Sequence, residues 1–291
     1  MFGKECYREN NQLLNQALEE KKTLIAVHRG VWGGNIVENT VPAIQLALRL
    51  GGDMAECDLS ISTDGVIYLF HDTHEQRLLG VNKNIMTLSS AEIDSLTYRN
   101  SLNCSSGIHP VRLTQMLSEL NQGELINIDR AWRGDLKKTL DVMRAYPHMQ
   151  KQALFKTPVK DEYLKIMSEC PEKYMYMAIA YNMDDVRKAL SYPDINMVGV
   201  ELIARSNEDE LFRQKAIDQI HGQGLFTWVN TLVLSDQAKH ILYGDITDDR
   251  AVLESPEANW GVLMDRGIDI IQTDWPVFLK EFRDRRAAVR G

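Results

Sequence analysis

The sequence predicts an α/β protein, a single-domain (β/α)8 barrel with a short rim excursion after the second strand. Three observations lead there. Eight short apolar runs read as buried strands and alternate with helix-like runs, the pattern of a parallel sheet. Ionisable residues stand at or near the carboxyl ends of several of those strands, where barrels collect their chemistry. The chain has 291 residues with 44% hydrophobic content, enough for one large core.

A polar, helix-prone lead (residues 1–22, helix from about Glu9 to Glu20) precedes the barrel domain of residues 23–291. The expected strands are Thr23–Gly30, Met54–Ser62, Leu125–Ala131, Gln152–Lys156, Tyr174–Ala180, Met197–Ile203, Leu225–Asn230 and Ile268–Thr273. The expected helices are Val41–Leu50, Leu113–Leu120, Leu136–Ala145, Asp161–Ser168, Met183–Leu190, Glu208–Gln223 and Pro276–Arg285. Thr63-Asp64-Gly65 reads as a turn into a short extended segment that delivers His71 to the rim. Residues 75–112 have weak periodicity, contain a helix start at Leu88 to Glu92, and form the expected excursion. Residues 243–258, with Asp245, Asp248 and Asp249, read as a solvated acidic loop.

The formal net charge of −8 excludes general affinity for nucleic-acid backbones or anionic membranes, while a local basic pocket for one phosphate stays possible. Cys6, Cys57, Cys104 and Cys170 are scattered and are expected to be reduced. The start carries no secretory signal pattern and no run approaches the roughly 18 apolar residues of a membrane span, so a cytoplasmic protein without a transmembrane segment is expected. The sequence leaves the oligomeric state open.

Residues two apart on a strand share a face, so Glu56 and Asp58 project together while Cys57 turns away. Two carboxylates so close repel unless a cation lies between them, and hard oxygen ligands suit Mg²⁺ or Ca²⁺. His28 and His71 beside such a cation, with Arg29, make an apparatus for an anionic ester, most naturally a phosphodiester. Trp32, Trp132, Tyr181, Trp228 and Trp275 lie near strand ends, where some could wall a leaving-alcohol pocket for a choline-like cation; Trp228 and Asn230, on one face of the seventh strand, are the better candidates. His74, His148, His221 and His240 read as surface residues.

His28-Arg29-Gly30, Glu38-Asn39-Thr40, Glu56-Cys57-Asp58, Thr63-Asp64-Gly65, His71-Asp72, Asn127-Ile128-Asp129 and Thr273-Asp274-Trp275-Pro276 occur in the order and spacing of one family. The chain resembles the glycerophosphodiester phosphodiesterases. That resemblance implies a TIM-barrel hydrolase that cleaves a small-molecule phosphodiester with one bound divalent cation, releasing sn-glycerol 3-phosphate and an alcohol. It makes His28 and His71 the general acid and base, and Glu56, Asp58 and Asp129 the metal ligands. It has Arg29 grip a phosphate oxygen and Glu38 and Asn39 order the adjoining loop; Lys156, Glu201, Trp228 and Asn230 complete the expected substrate-binding set.

The family has Glu followed two residues later by Lys where this chain has Asp129 and Ala131; Lys156, ending the next strand, is the expected replacement, and Arg130 is expected to face away from Asp129. Two other readings share the scaffold: a phospholipase D-like lyase that stops at a cyclic phosphate, and a non-catalytic barrel that binds a phosphorylated ligand. The short excursion favours small, soluble substrates.

Overall fold

The computed structural model describes residues 1–235 and 240–290; residue 291, the last of the expected barrel domain, lies outside them. Among the described residues the strands are β1 Leu24–Val27, β2 Met54–Ile61, β3 Ile67–Leu69, β4 Leu125–Asp129, β5 Ala153–Pro158, β6 Met175–Ala180, β7 Met197–Leu202, β8 Phe226–Asn230 and β9 Ile270–Thr273. All but β3 are parallel, in the order β1-β9-β8-β7-β6-β5-β4-β2, and β1 pairs with β2 to close an eight-stranded TIM barrel. Each expected strand is present, most of them shortened at one or both ends, while β5 runs on to Pro158. β3 pairs antiparallel with β2, Leu59 opposite Leu69, and forms the short arm that carries His71 back to the rim.

Alternation along each strand divides the core in two. Outward-facing Ala55, Cys57, Ile126, Ile128 and Phe155 pack under the helices. Inward-facing Leu24, Ala26, Met54, Leu125, Leu154, Met175, Met177, Phe226, Trp228 and Ile270 fill the barrel, and Leu14 and Leu18 of the N-terminal helix Arg8–Lys21 plug its amino end. Chemistry is thereby left to the carboxyl end. Helix Val41–Arg49 starts where Thr40 caps the Ala43 amide, and Ser89 and Glu92 form a capping box on helix Ser90–Ser95 within the excursion.

The expected helix Glu208–Gln223 is two pieces, a 3₁₀ turn at Glu210–Phe212 and helix Gln214–His221. The expected solvated loop at 243–258 is a correction. Thr247 caps helix Asp248–Leu253, and Asp248 is only 1% exposed. Charge density there recorded a buried acid rather than a solvated face.

No helix among the described residues is long and apolar enough to cross a membrane.

Candidate active site

Register builds the acidic centre. Asp58 pairs with Asp129 across β2 and β4, two residues beyond Glu56, and the inward face of both strands carries all three carboxylates into the barrel mouth. One oxygen from each of Glu56, Asp58 and Asp129 lies within 4.8 Å of the others. Each is anchored through another contact: Glu56 Oε2 accepts the Arg29 amide at 2.9 Å, Asp58 Oδ2 accepts Asn39 Nδ2 at 3.0 Å, and Asp129 Oδ2 lies 3.1 Å from Lys156 Nζ. Arg29 Nε also lies 2.9 Å from Asp58 Oδ2. Burial and the neighbouring charge of Asp58 push Glu56 up to about 8, while Arg29 opposes burial and holds Asp58 at about 2. A buried acid kept from ionising by its neighbour is the state a dication relieves, so this oxygen donor set fits a hard divalent ion.

His28 follows β1, its Nδ1 2.9 Å from Asp274 Oδ1 beyond β9. A carboxylate only accepts, so Nδ1 carries hydrogen. Burial works against the charged ring, but the Asp274 bond and the charges of Asp274 and Glu56 outweigh it and raise the His28 pKa. His71 Nδ1 donates to the Asp72 carbonyl at 2.6 Å, which leaves Nε2 as an acceptor. Burial first, with Arg29, Arg130 and His74 cations or dipoles nearby, lowers His71 to about 4 against the pull of Asp58. His28 adjoins Arg29, whose amide binds Glu56, and His71 adjoins Asp72, whose partner Arg130 reaches Asp58, so the two imidazoles flank one centre.

The turn that positions the first imidazole is exacting. A Cβ on Gly30, at φ +75°, would fall 2.5 Å from the Ala43 carbonyl, so only glycine fits behind His28-Arg29. Arg29, Asn39, Thr73 and Arg130 are non-glycine residues with positive φ, and all four adjoin the site.

Arg29 Nη1 donates to Glu38 at 2.8 Å, and Arg77 donates to both Glu38 oxygens. Glu38 therefore orients the guanidinium, while Asn39 clamps Asp58 by accepting its amide at 2.9 Å as well as donating to its carboxylate. Lys156, 3% exposed, lies between Asp129 and Glu201, 3.1 and 3.3 Å away. Asn230 Nδ2 donates to Glu201 Oε1, and Asn230 Oδ1 accepts the Trp228 indole N–H at 2.8 Å. Trp228 is fully buried in the barrel's inner layer with its ring 5.6 Å from Lys156 Nζ, so it floors this polar chain and presents no wall to solvent.

Four site residues escaped the sequence reading. His74, taken for a surface residue, stacks on His71 at 4.4 Å between centroids and accepts from Arg29 and Arg77. Its signal was position, three residues after His71. Arg130 was expected to face away, yet its guanidinium bonds Asp72 and its Nε lies 4.0 Å from Asp58. Strand alternation stops at Asp129, because Arg130 is left-handed at φ +59° and swings its side chain back to the rim. Arg130 Nε is buried without a hydrogen-bond acceptor, a donor that suits an anionic oxygen, whereas Arg29 Nε faces Asp58. Asp274 was visible only as part of its motif, and Asp248 was hidden in an acidic run. His221 also departs from expectation: it bonds Asp269 at 2.8 Å, far from the site.

Beside His28 and Asp274 opens a cleft of about 550 Å³ lined by Gly30, Trp32, Asp249, Asp274, Trp275 and Phe278. Trp32, Trp275 and Phe278 are exposed there.

A closed barrel whose carboxyl rim gathers three acids, two imidazoles and the guanidinium groups of Arg29 and Arg130 defines a TIM-barrel protein with a rim site suited to a small anion. A family model described as a domain of unknown function, DUF4996, matches residues 174–283. Human lysophospholipase D GDPD1 is 30% identical over 127 residues, a match spanning 41% of this chain and 40% of that relative's length. A glycerophosphoryl diester phosphodiesterase structure from Parabacteroides distasonis superposes with a TM-score of 0.70 at 16% identity, over 91% of this chain and 87% of that one. A phosphodiesterase from Oleispira antarctica, solved with the product sn-glycerol-3-phosphate, gives 0.63 at 16% identity over 92% and 97%. The chain is thus similar to glycerophosphodiester phosphodiesterases in fold, and in sequence over part of its length.

Proposed function

We propose that this protein hydrolyses a glycerophosphodiester to sn-glycerol 3-phosphate and an alcohol, with His28 and His71 exchanging protons and Glu56, Asp58 and Asp129 holding one Mg²⁺ or Ca²⁺. The observation that carries the reading is the pair of imidazoles with opposite proton habits around one acid triad. His28, backed by Asp274, favours the charged donor form, and His71, with its Nδ1 proton spent on a carbonyl, presents a free Nε2. Groups whose environments push their pKa values apart divide naturally into acid and base.

When bound, the cation supplies charge neutralisation at the phosphoryl oxygens. The chain's own residues do the rest. Arg29 supplies positive charge beside the anion and Arg130 an unfilled Nε–H donor, and Lys156 supplies the buried charge absent at Ala131. His71 takes a proton from the attacking glycerol hydroxyl, whose position next to the phosphoryl group makes internal attack favourable. His28 gives a proton to the departing alcohol, and the cleft of Trp32 and Trp275 receives it. Water then opens the cyclic phosphate, with the two histidines in reversed roles.

The test is turnover of glycerophosphocholine, glycerophosphoethanolamine, glycerophosphoglycerol and lysophosphatidylcholine, the last because the human relative is named a lysophospholipase D, with and without EDTA. Phosphorus NMR should show sn-glycerol 3-phosphate or its acylated form as the end product. A cyclic species that persists indicates the lyase instead, and His28→Ala with unchanged metal-dependent turnover refutes the proton-transfer scheme.

A further inference from the structure

We propose that Asp248, outside every motif assigned above, is the positioning residue that sets His28 for proton transfer by fixing the backbone of Asp274. The proposal rests on the reading of His28 as proton donor. Asp248 opens a helix after β8, is 1% exposed, and has no Lys, Arg or His ion pair among the described residues. A carboxylate buried in that way costs several kcal/mol unless its oxygens are filled. Here they are filled by four donors from three places in the chain. Oδ1 accepts the Thr231 hydroxyl at 2.5 Å and the Trp260 indole N–H at 3.0 Å; Oδ2 accepts the Thr273 hydroxyl at 2.8 Å and the Asp274 amide at 2.9 Å.

The last of these bonds gives the cage its consequence. Asp274 is the residue whose carboxylate holds His28 Nδ1, so one backbone amide separates Asp248 from the partner of the imidazole. Neighbouring contacts lock that amide in place: Thr273 Oγ1 accepts the Trp275 amide at 2.9 Å, the His28 amide donates to the Thr273 carbonyl at 3.2 Å, and the Asp248 amide donates to the Thr231 carbonyl at 2.7 Å. The ends of β8 and β9 and the residue after β1 are thereby tied to one carboxylate. A helix cap or a core filler would serve packing without aiming two oxygens at the strand end that carries the imidazole's partner. Thr273-Asp274 gains a role in the same step: one residue to bind Asp248, the next to bind His28.

Asp248→Asn tests this. The amide oxygen still takes Thr231 and Trp260, but its NH₂ faces the Asp274 N–H, donor against donor, and residue 274 must move. A catalytic group misplaced by about 1 Å loses roughly 100-fold in rate, so kcat should fall about 10- to 100-fold with KM within threefold. The second readout is independent of turnover: the downfield proton on His28 Nδ1, assigned by its loss in His28→Gln, should shift or vanish in Asp248→Asn. Trp260→Phe is the structural control, lowering stability while leaving that proton signal in place. Should Asp248→Asn not fold, Thr273→Val, which removes the neighbouring donor on the same oxygen, must move the signal. A His28 proton unmoved in whichever variant folds overturns the proposal. Absence of any phosphodiester turnover by the wild type overturns the activity reading instead and leaves the spectroscopic result decisive.

Discussion

Lys156→Met should separate the structural from the catalytic use of the buried lysine. Its ammonium lies 3.1 Å from Asp129 and 3.3 Å from Glu201. A unit pair at that separation has a gross attraction of about 5 kcal/mol at an effective dielectric of 20. Much of this offsets desolvation, and removing one partner of a buried pair costs about 3–5 kcal/mol. Methionine fills the space of the stem but leaves Glu201 buried with only Asn230 on it. We therefore expect the midpoint of thermal unfolding to fall by roughly 5–8 °C at pH 7.

The deficit should itself depend on pH. Burial already raises Glu201, with Lys156 opposing, and deleting the lysine raises it further. A carboxyl whose folded pKa lies above its unfolded value binds protons preferentially in the native state. Its stabilising contribution is complete below the unfolded pKa and is lost as pH rises through the folded one. The variant should thus approach the wild type toward pH 5 and fall furthest behind above pH 7. Lys156→Met/Glu201→Gln should recover at least half the lost stability, because the acid then left without its lysine is Asp129, the more exposed of the two partners. Substrate affinity should stay low in both, by roughly 10- to 100-fold, the worth of one charge-assisted bond of about 1.5–3 kcal/mol. Calorimetry and KM measured on the same three proteins suffice. A loss under 1 kcal/mol in the single variant, or substrate affinity restored in the double one, refutes the assignment.

Other consequences follow from the same geometry. Activity should have an acid limb near pH 4, where His71 protonates, and an alkaline limb above the ordinary histidine range, where His28 loses its proton; a pH–rate profile whose acid limb is unchanged in His71→Gln removes His71 as the base. Mg²⁺ or Ca²⁺ should raise the unfolding temperature, since it relieves three mutually repelling carboxylates, by about 2.7 kcal/mol at 100 times Kd; Glu56→Gln/Asp58→Asn should abolish that response. Arg130→Lys should lower kcat/KM nearly as far as Arg130→Ala, because a point charge cannot both bond Asp72 and present the fork's free Nε; full activity in the lysine variant contradicts this role. A substrate with its vicinal hydroxyl methylated should be inert, and its normal turnover rules out internal attack.

Most of the fold was legible because it is written in period and burial. Runs such as Met54 to Asp58 are apolar on one face and acidic on the other, and a two-residue period puts Glu56 and Asp58 together without further knowledge. What was not legible lies where that period ends. Arg130 is one residue past β4, and a left-handed φ that no arginine advertises turns it toward Asp58. Asp248 stands in a run of acids, and nothing local distinguishes the one whose four donors come from Thr231, Trp260, Thr273 and Asp274. His74 needed a turn, with Thr73 at φ +84°, to stack it on His71. Strand-borne groups are thus readable from spacing, whereas loop-borne groups depend on dihedrals fixed by tertiary contacts.

The charges of the site order its occupancy. Glu38, Glu56, Asp58, Asp72, Asp129 and Glu201 are met by Arg29, Arg77, Arg130, Arg133 and Lys156, six acids against five bases interlocked in short ion pairs. Glu56 is the acid without a cationic side chain in those pairs, and its recorded partner is a backbone amide. With Glu56 held protonated at neutral pH, the other five acids and the five bases balance, so the empty site offers these groups no net positive charge. A dication that displaces the Glu56 proton adds one net positive charge, which a phosphodiester monoanion cancels. Metal binding is therefore expected to strengthen substrate binding. A non-hydrolysable phosphonate analogue of glycerophosphocholine should bind more tightly in a calorimeter once Mg²⁺ or Ca²⁺ is supplied, and its affinity should climb with metal until the site saturates. Equal binding in EDTA would show that the arginines alone carry the anion.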